Sequence, residues 1–140
     1  MIIEICSLAR AVELAETARE KTSILSITSK EEKDVVFSDN PNILSVLRLK
    51  FNDLPAEYDE DGRPYGRPLP RQEDLAGLMV FADGLQCRYL IVHCWEGTSR
   101  SAAVAKAIYE YREGTDEIRA QKGVSPNPLV YGFACRELGI

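Results

Sequence analysis

Histidine is almost absent from this 140-residue chain: His93 stands alone, which excludes any site built on two imidazole ligands. Basic runs are missing as well. The 17 Lys and Arg are outnumbered by 22 Asp and Glu, for a formal net charge of −5 and a pI near 5.0, so nucleic acid is a poor partner. No apolar run approaches the roughly 18 residues of a membrane span. Residues 1–10 lack a basic stretch followed by a long apolar one, so no signal peptide and no membrane association are expected. The four cysteines, Cys6, Cys87, Cys94 and Cys135, form no C-x-x-C pair, so a structural zinc site is not expected. Scattered thiols without an export signal read as reduced cysteines of a cytoplasmic protein. No metal and no cofactor are implied.

What is present suits a soluble globular domain, with 45% hydrophobic and 28% charged residues. The length predicts one domain over residues 1–140. Ile2 to Cys6, Ser23 to Thr28, Ile43 to Phe51 and Tyr89 to Val92 read as strands, the last continuously apolar like a central parallel strand. Apolar residues at helical spacing predict helices over 9–20, from Pro70 to about Leu85, from Ser101 to Arg112, and from about Pro128 to Leu138. Residues 29–34 read as a charged connection, and the polar stretch 56–70 as a long surface loop. Alternation of strands and helices predicts an α/β fold: a central, mostly parallel sheet of four to five strands flanked by helices on both faces.

The chemistry concentrates in Val92-His93-Cys94-Trp95-Glu96-Gly97-Thr98-Ser99-Arg100-Ser101. This run leaves the carboxyl end of the buried strand, where open α/β sheets bind ligands, and enters a helix N-terminus, whose free N–H groups and dipole favour an anion. Gly97 permits a tight turn. Arg100 offers a planar fork for two phosphate oxygens. Cys94 at the floor of such a cradle is expected to be acidic and nucleophilic. Adjacent side chains on a strand point to opposite faces, so His93 is expected to order the loop and not to act as a base on Cys94.

The run His93-Cys94 through Arg100-Ser101 resembles the H-C-x5-R-S/T signature of the cysteine-dependent protein phosphatases. The tight match covers about ten residues, and the order of elements extends it loosely over 43–135. Within that superfamily the short chain resembles the dual-specificity-type and small prokaryotic tyrosine phosphatases. The resemblance implies that Cys94 is the nucleophile, Arg100 the phosphate and transition-state ligand, and Ser101 the hydroxyl that stabilises the departing thiolate. It implies a cradle of backbone amides from Trp95, Glu96, Gly97, Thr98, Ser99 and Arg100, with His93 as the loop-ordering residue of the binding segment.

The resemblance also implies an aspartate general acid upstream, because an unprotonated alkoxide or phenoxide leaves poorly. Asp53 is the best candidate, with Glu57, Asp59 and Asp61 as rivals and a plain turn as its alternative role. Trp95 suits stacking on a phosphotyrosine ring or packing against the long loop. Glu96 disfavours highly anionic ligands. The implied substrates are therefore phosphorylated proteins, phosphotyrosine first, or small aryl phosphates. A phosphate-binding module with poor turnover, and a thiolate-based arsenate reductase or sulfurtransferase, are the alternatives.

Overall fold

The computed structural model describes all 140 residues. Five strands, β1 (Ile2–Ser7), β2 (Thr22–Thr28), β3 (Ile43–Lys50), β4 (Tyr89–Cys94) and β5 (Glu117–Ala120), form one sheet in the order β3-β2-β4-β1-β5. Every neighbouring pair is parallel, so the sheet is wholly parallel rather than mostly so. Four helices cover it: α1 (Leu8–Thr17), α2 (Leu78–Asp83), α3 (Arg100–Tyr111) and α4 (Pro128–Leu138). No helix is long and apolar enough to cross a membrane.

The connections explain where the helices lie. The β1-α1-β2 crossover runs one way along the sheet, whereas the β3-α2-β4 and β4-α3-β5 crossovers run the other way. A right-handed crossover that reverses direction must also change face. Accordingly Ala11 and Ala15 of α1 pack on Cys6, Ile24 and Ile91 on one face. Leu78, Val104, Ile108 and Val130 pack on Ile3, Leu25, Leu90 and Val92 on the other. Chains leaving adjacent β1 and β4 therefore part to opposite faces, and this opens a crevice at their carboxyl ends.

Several element boundaries differ from expectation. α1 stops at Thr17, short of position 20, because the side-chain amides of Asn40 and Asn42 donate to the carbonyls of Ala15 and Ala18 and close its last turn. The single helix expected from Pro70 to Leu85 is interrupted. A 3-10 turn at Gln72–Leu75 and α2 flank Gly77, whose φ of 89° lies in the left-handed region. The β4 strand runs past Val92 into His93 and Cys94. β5 has no counterpart among the expected strands, since its E-I-R-A residues lie at an exposed edge with no apolar run to mark them.

Candidate active site

The crevice at the ends of β1 and β4 is filled by residues 95–99. Gly97 adopts a φ of 79° and lies directly against the main chain of Cys6 and Ser7. The Leu8 N–H donates to the Trp95 carbonyl at 3.2 Å, fastening the loop to the start of α1. On the other side, the N–H groups of Ser125 and Asn127 donate to the carbonyls of Thr98 and Ser99. The loop is thus tied to the start of α1 on one side and to the connection between β5 and α4 on the other. Among its amides, only that of Gly97 has a protein acceptor, the Cys94 sulfur at 3.3 Å. Those of Trp95, Glu96, Thr98, Ser99 and Arg100 have none.

Cys94 ends β4 with its side chain on the α3 face. The Ser101 hydroxyl lies 3.1 Å from its sulfur. Burial pushes this thiol up, but hydrogen bonds from Ser101 and from the Gly97 amide, with the Arg100 charge, outweigh burial and hold it below the usual thiol range. Cys6 supplies the contrast. Burial, reinforced by Glu4, pushes its thiol up to about 12. Two cysteines on adjacent strands are thus driven in opposite directions by what surrounds the sulfur.

Arg100 opens α3 and is 5% exposed. One terminal nitrogen, Nη1, donates to the Ser29 hydroxyl at 2.9 Å and to the Phe51 carbonyl at 3.0 Å. Its Nε is buried with no acceptor. Leaving a buried N–H unmatched costs about 1–3 kcal/mol, more for a charged group. An acceptor from outside the protein would remove that penalty, so this edge of the guanidinium is suited to receive an anion.

Asp53 lines the same cavity of about 170 Å³, together with Cys94, Trp95, Glu96, Thr98, Ser99 and Arg100. Its Oδ1 accepts from the Ser99 hydroxyl at 2.9 Å and from the Asn127 amide at 2.8 Å, while Oδ2 receives no hydrogen bond from the protein. The rivals lie elsewhere. Asp59 is spent on its own turn, accepting from the amides of Asp61 and Arg63, and neither Glu57 nor Asp61 borders the cavity. Trp95 is 61% exposed at the mouth, so it is open to a ligand and not packed away under the long loop.

His93, expected in the binding segment, is completely buried and does not line the cavity. Its side chain is on the α1 face, edge-on to Phe37 and away from the cysteine sulfur. Nδ1 lies 3.0 Å from the Cys94 carbonyl, which can only accept, so Nδ1 carries the proton. Nε2, 2.6 Å from the Ser26 hydroxyl, therefore accepts from it. Burial foremost, helped by the nearby Arg100 and Arg48 charges, holds the imidazole below its usual range and keeps it neutral. The residue fixes the last peptide of β4 and so the departure angle of the loop.

Sequence reasoning missed Asn127. It is 2% exposed and joins three parts. Its Nδ2 holds Asp53 and the Leu54 carbonyl, its N–H holds the Ser99 carbonyl, and its Oδ1 caps α4 through the amides of Leu129 and Val130. The only local signal was an Asn placed before Pro128 at a helix start, a capping pattern. Asn127→Ala should cost about 1 kcal/mol from the lost cap in urea denaturation. It should also free the Asp53 carboxylate, whose Oδ1 loses one of its two side-chain hydrogen bonds.

Comparison with family models, with curated proteins and with solved structures finds no match to this chain.

Proposed function

We propose that the chain is a phosphoric monoester hydrolase of the tyrosine or dual-specificity phosphatase type. The observation that carries this reading is the pairing of an acidified Cys94 with a buried Arg100 whose Nε has no partner, both on one small cavity. The Arg100 edge and the free loop amides receive the non-bridging phosphate oxygens. Cys94 Sγ attacks phosphorus in line with the ester oxygen, the P–O bond breaks, and Asp53 delivers its proton to the leaving oxygen. In the second half, Asp53 as carboxylate takes a proton from water, which attacks phosphorus. The P–S bond breaks and the returning thiolate is received by the Ser101 hydroxyl and the Gly97 amide. Alcohol and inorganic phosphate are the products, and no metal or cofactor takes part.

Substrate preference follows from the lining. Arg100 is its one cation, against the carboxylates of Asp53 and Glu96. A single phosphate dianion suits that balance, and a polyphosphorylated ligand does not. The exposed Trp95 offers a face for an aromatic leaving group, so phosphotyrosine in a protein is the preferred substrate.

Hydrolysis of p-nitrophenyl phosphate in EDTA, inhibited by vanadate, is the direct test; a requirement for a divalent cation would sink the mechanism. Because Asp53 supplies the leaving-group proton in the first half-reaction, Asp53→Asn should lower kcat on the order of 100-fold. If instead Asp59→Asn or Asp61→Asn does so, the acid lies on the long loop.

A further inference from the structure

The connection after β2 bears a sequence, Ser29-Lys30-Glu31-Glu32, that would ordinarily start a helix as a capping box. No helix follows; residues 30–32 make only a turn and a bend. Half of the box is present. The Ser29 N–H donates to the Glu32 carboxylate at 2.7 Å, as a reciprocal cap requires. The other half is diverted. The Glu32 N–H goes to the Ser29 carbonyl, and the Ser29 hydroxyl faces Arg100.

We propose that Ser29 and Glu32 act as a pair to position Arg100, presenting its Nε edge to the oxyanion; this rests on the hydrolase reading of the same cavity. A serine hydroxyl has one proton. Since Nη1 of Arg100 donates to Ser29 Oγ, the serine proton must point away from the guanidinium, and the Glu32 carboxylate, held by the Ser29 N–H at 2.7 Å, fixes the residue that bears this hydroxyl. Burial pushes Glu32 up, yet the bonds from Ser29 and the charges of Arg100 and Lys50 hold it below the usual carboxylate range, so it is present as the acceptor. With Nη1 fixed by Ser29 on one side and the Phe51 carbonyl on the other, the guanidinium plane is set.

The pair is itself held in place from outside. Lys50 donates to the Glu32 carbonyl and to Thr28 Oγ1, and the Lys30 N–H donates to Asn52 Oδ1. Lys30 Nζ also meets Asp74 at 2.7 Å, so the connection is tied to β3, to the segment after it and to the 3-10 turn. Neither Ser29 nor Glu32 borders the cavity; both act through Arg100.

The test combines equilibrium binding of inorganic phosphate, p-nitrophenyl phosphate kinetics, and side-chain NMR of the Arg100 guanidinium. Ser29→Ala and Glu32→Gln should each weaken phosphate binding about tenfold and lower kcat further than they raise KM, since Arg100 serves the transition state more than the ground state. The slowly exchanging Nη1 protons should be lost. Ser29→Thr, which keeps the hydroxyl, should restore all three readouts. The double variant should be no worse than Ser29→Ala, because the two residues form one unit. Wild-type phosphate affinity and unchanged guanidinium signals in both single variants would overturn the pairing. If the wild-type protein binds no phosphate and hydrolyses no ester, the hydrolase reading falls, and the guanidinium signals alone then decide whether Ser29 and Glu32 hold Arg100.

Discussion

Cys94→Ser should reduce hydrolysis of p-nitrophenyl phosphate on the order of 10^4-fold or more while phosphate binding stays near that of the wild type. The two outcomes separate because different atoms carry them. In the proposed mechanism oxyanion binding falls to Arg100 and the loop amides, which the substitution leaves in place. Bond making belongs to the sulfur. A serine hydroxyl at the same site keeps the hydrogen-bonding partners, Ser101 and Gly97, but has no means of losing its proton near neutral pH. His93 cannot take it, being on the other face with Nδ1 committed to the Cys94 carbonyl. Steady-state kinetics and vanadate or phosphate titration of one sample measure both quantities. Residual activity above a few per cent would remove Cys94 from the mechanism. Retained binding would make this variant a substrate trap, and proteins captured from lysate through their phosphotyrosines would identify the physiological substrates.

Gly97→Ala should be the most damaging of the nine possible glycine-to-alanine substitutions. A Cβ there would stand 2.6 Å from both the Cys6 carbonyl oxygen and the Ser7 nitrogen, and closer still to the Cys6 carbonyl carbon. These are main-chain atoms of a central strand and cannot swing aside. The φ of 79° adds strain for any L side chain. The loss should reach about 3 kcal/mol or more in urea denaturation, equivalent to roughly 10 °C in melting temperature. Activity should fall with it even in the folded fraction, since the loop can relieve the clash only by leaving the end of β1. Gly62→Ala is the control. Its φ of 77° carries similar strain, but nothing lies within 4 Å of an added Cβ. It should cost about 1 kcal/mol and leave kcat unchanged. Equal effects of the two substitutions would mean that backbone strain, and not contact with β1, governs the loop.

The strand-loop-helix around Cys94 was legible because each part has a local cause: a continuous apolar run, a glycine, and an alanine-rich helix beginning at Arg100. Two expectations about neighbouring residues rested on the same geometry. Alternation along β4 separates His93 from the sulfur, and Asp53 at the end of β3 comes to the cavity because β3, β2 and β4 end together. Other features left no mark that local reasoning could read. Gly77 takes a left-handed φ of 89° inside a run whose apolar spacing otherwise continues a helix. β5 is exposed on all four residues, so its pairing with β1 writes nothing into composition. Asn127 and Ser29 look like ordinary capping residues. Their second bonds, to Asp53 and to Arg100, span 74 and 71 positions of sequence.

The strand order has a consequence for synthesis. β1 pairs only with β4 and β5, so both of its neighbours are made long after it. A ribosome that has released Ile2–Ser7 must extend the chain past Tyr89 before this apolar strand finds its first partner, and past Glu117 before it finds the second. Meanwhile β2 and β3 can already associate. The nascent protein therefore carries an unpaired Ile-Ile-Glu-Ile-Cys segment until β4 has been made, the kind of exposed strand that chaperones retain and that aggregates when they are scarce. Gly97 seats on that same strand, so the loop of residues 95–99 cannot take its final shape before β1 is in place. Appearance of activity during synthesis should coincide with its insertion into the sheet.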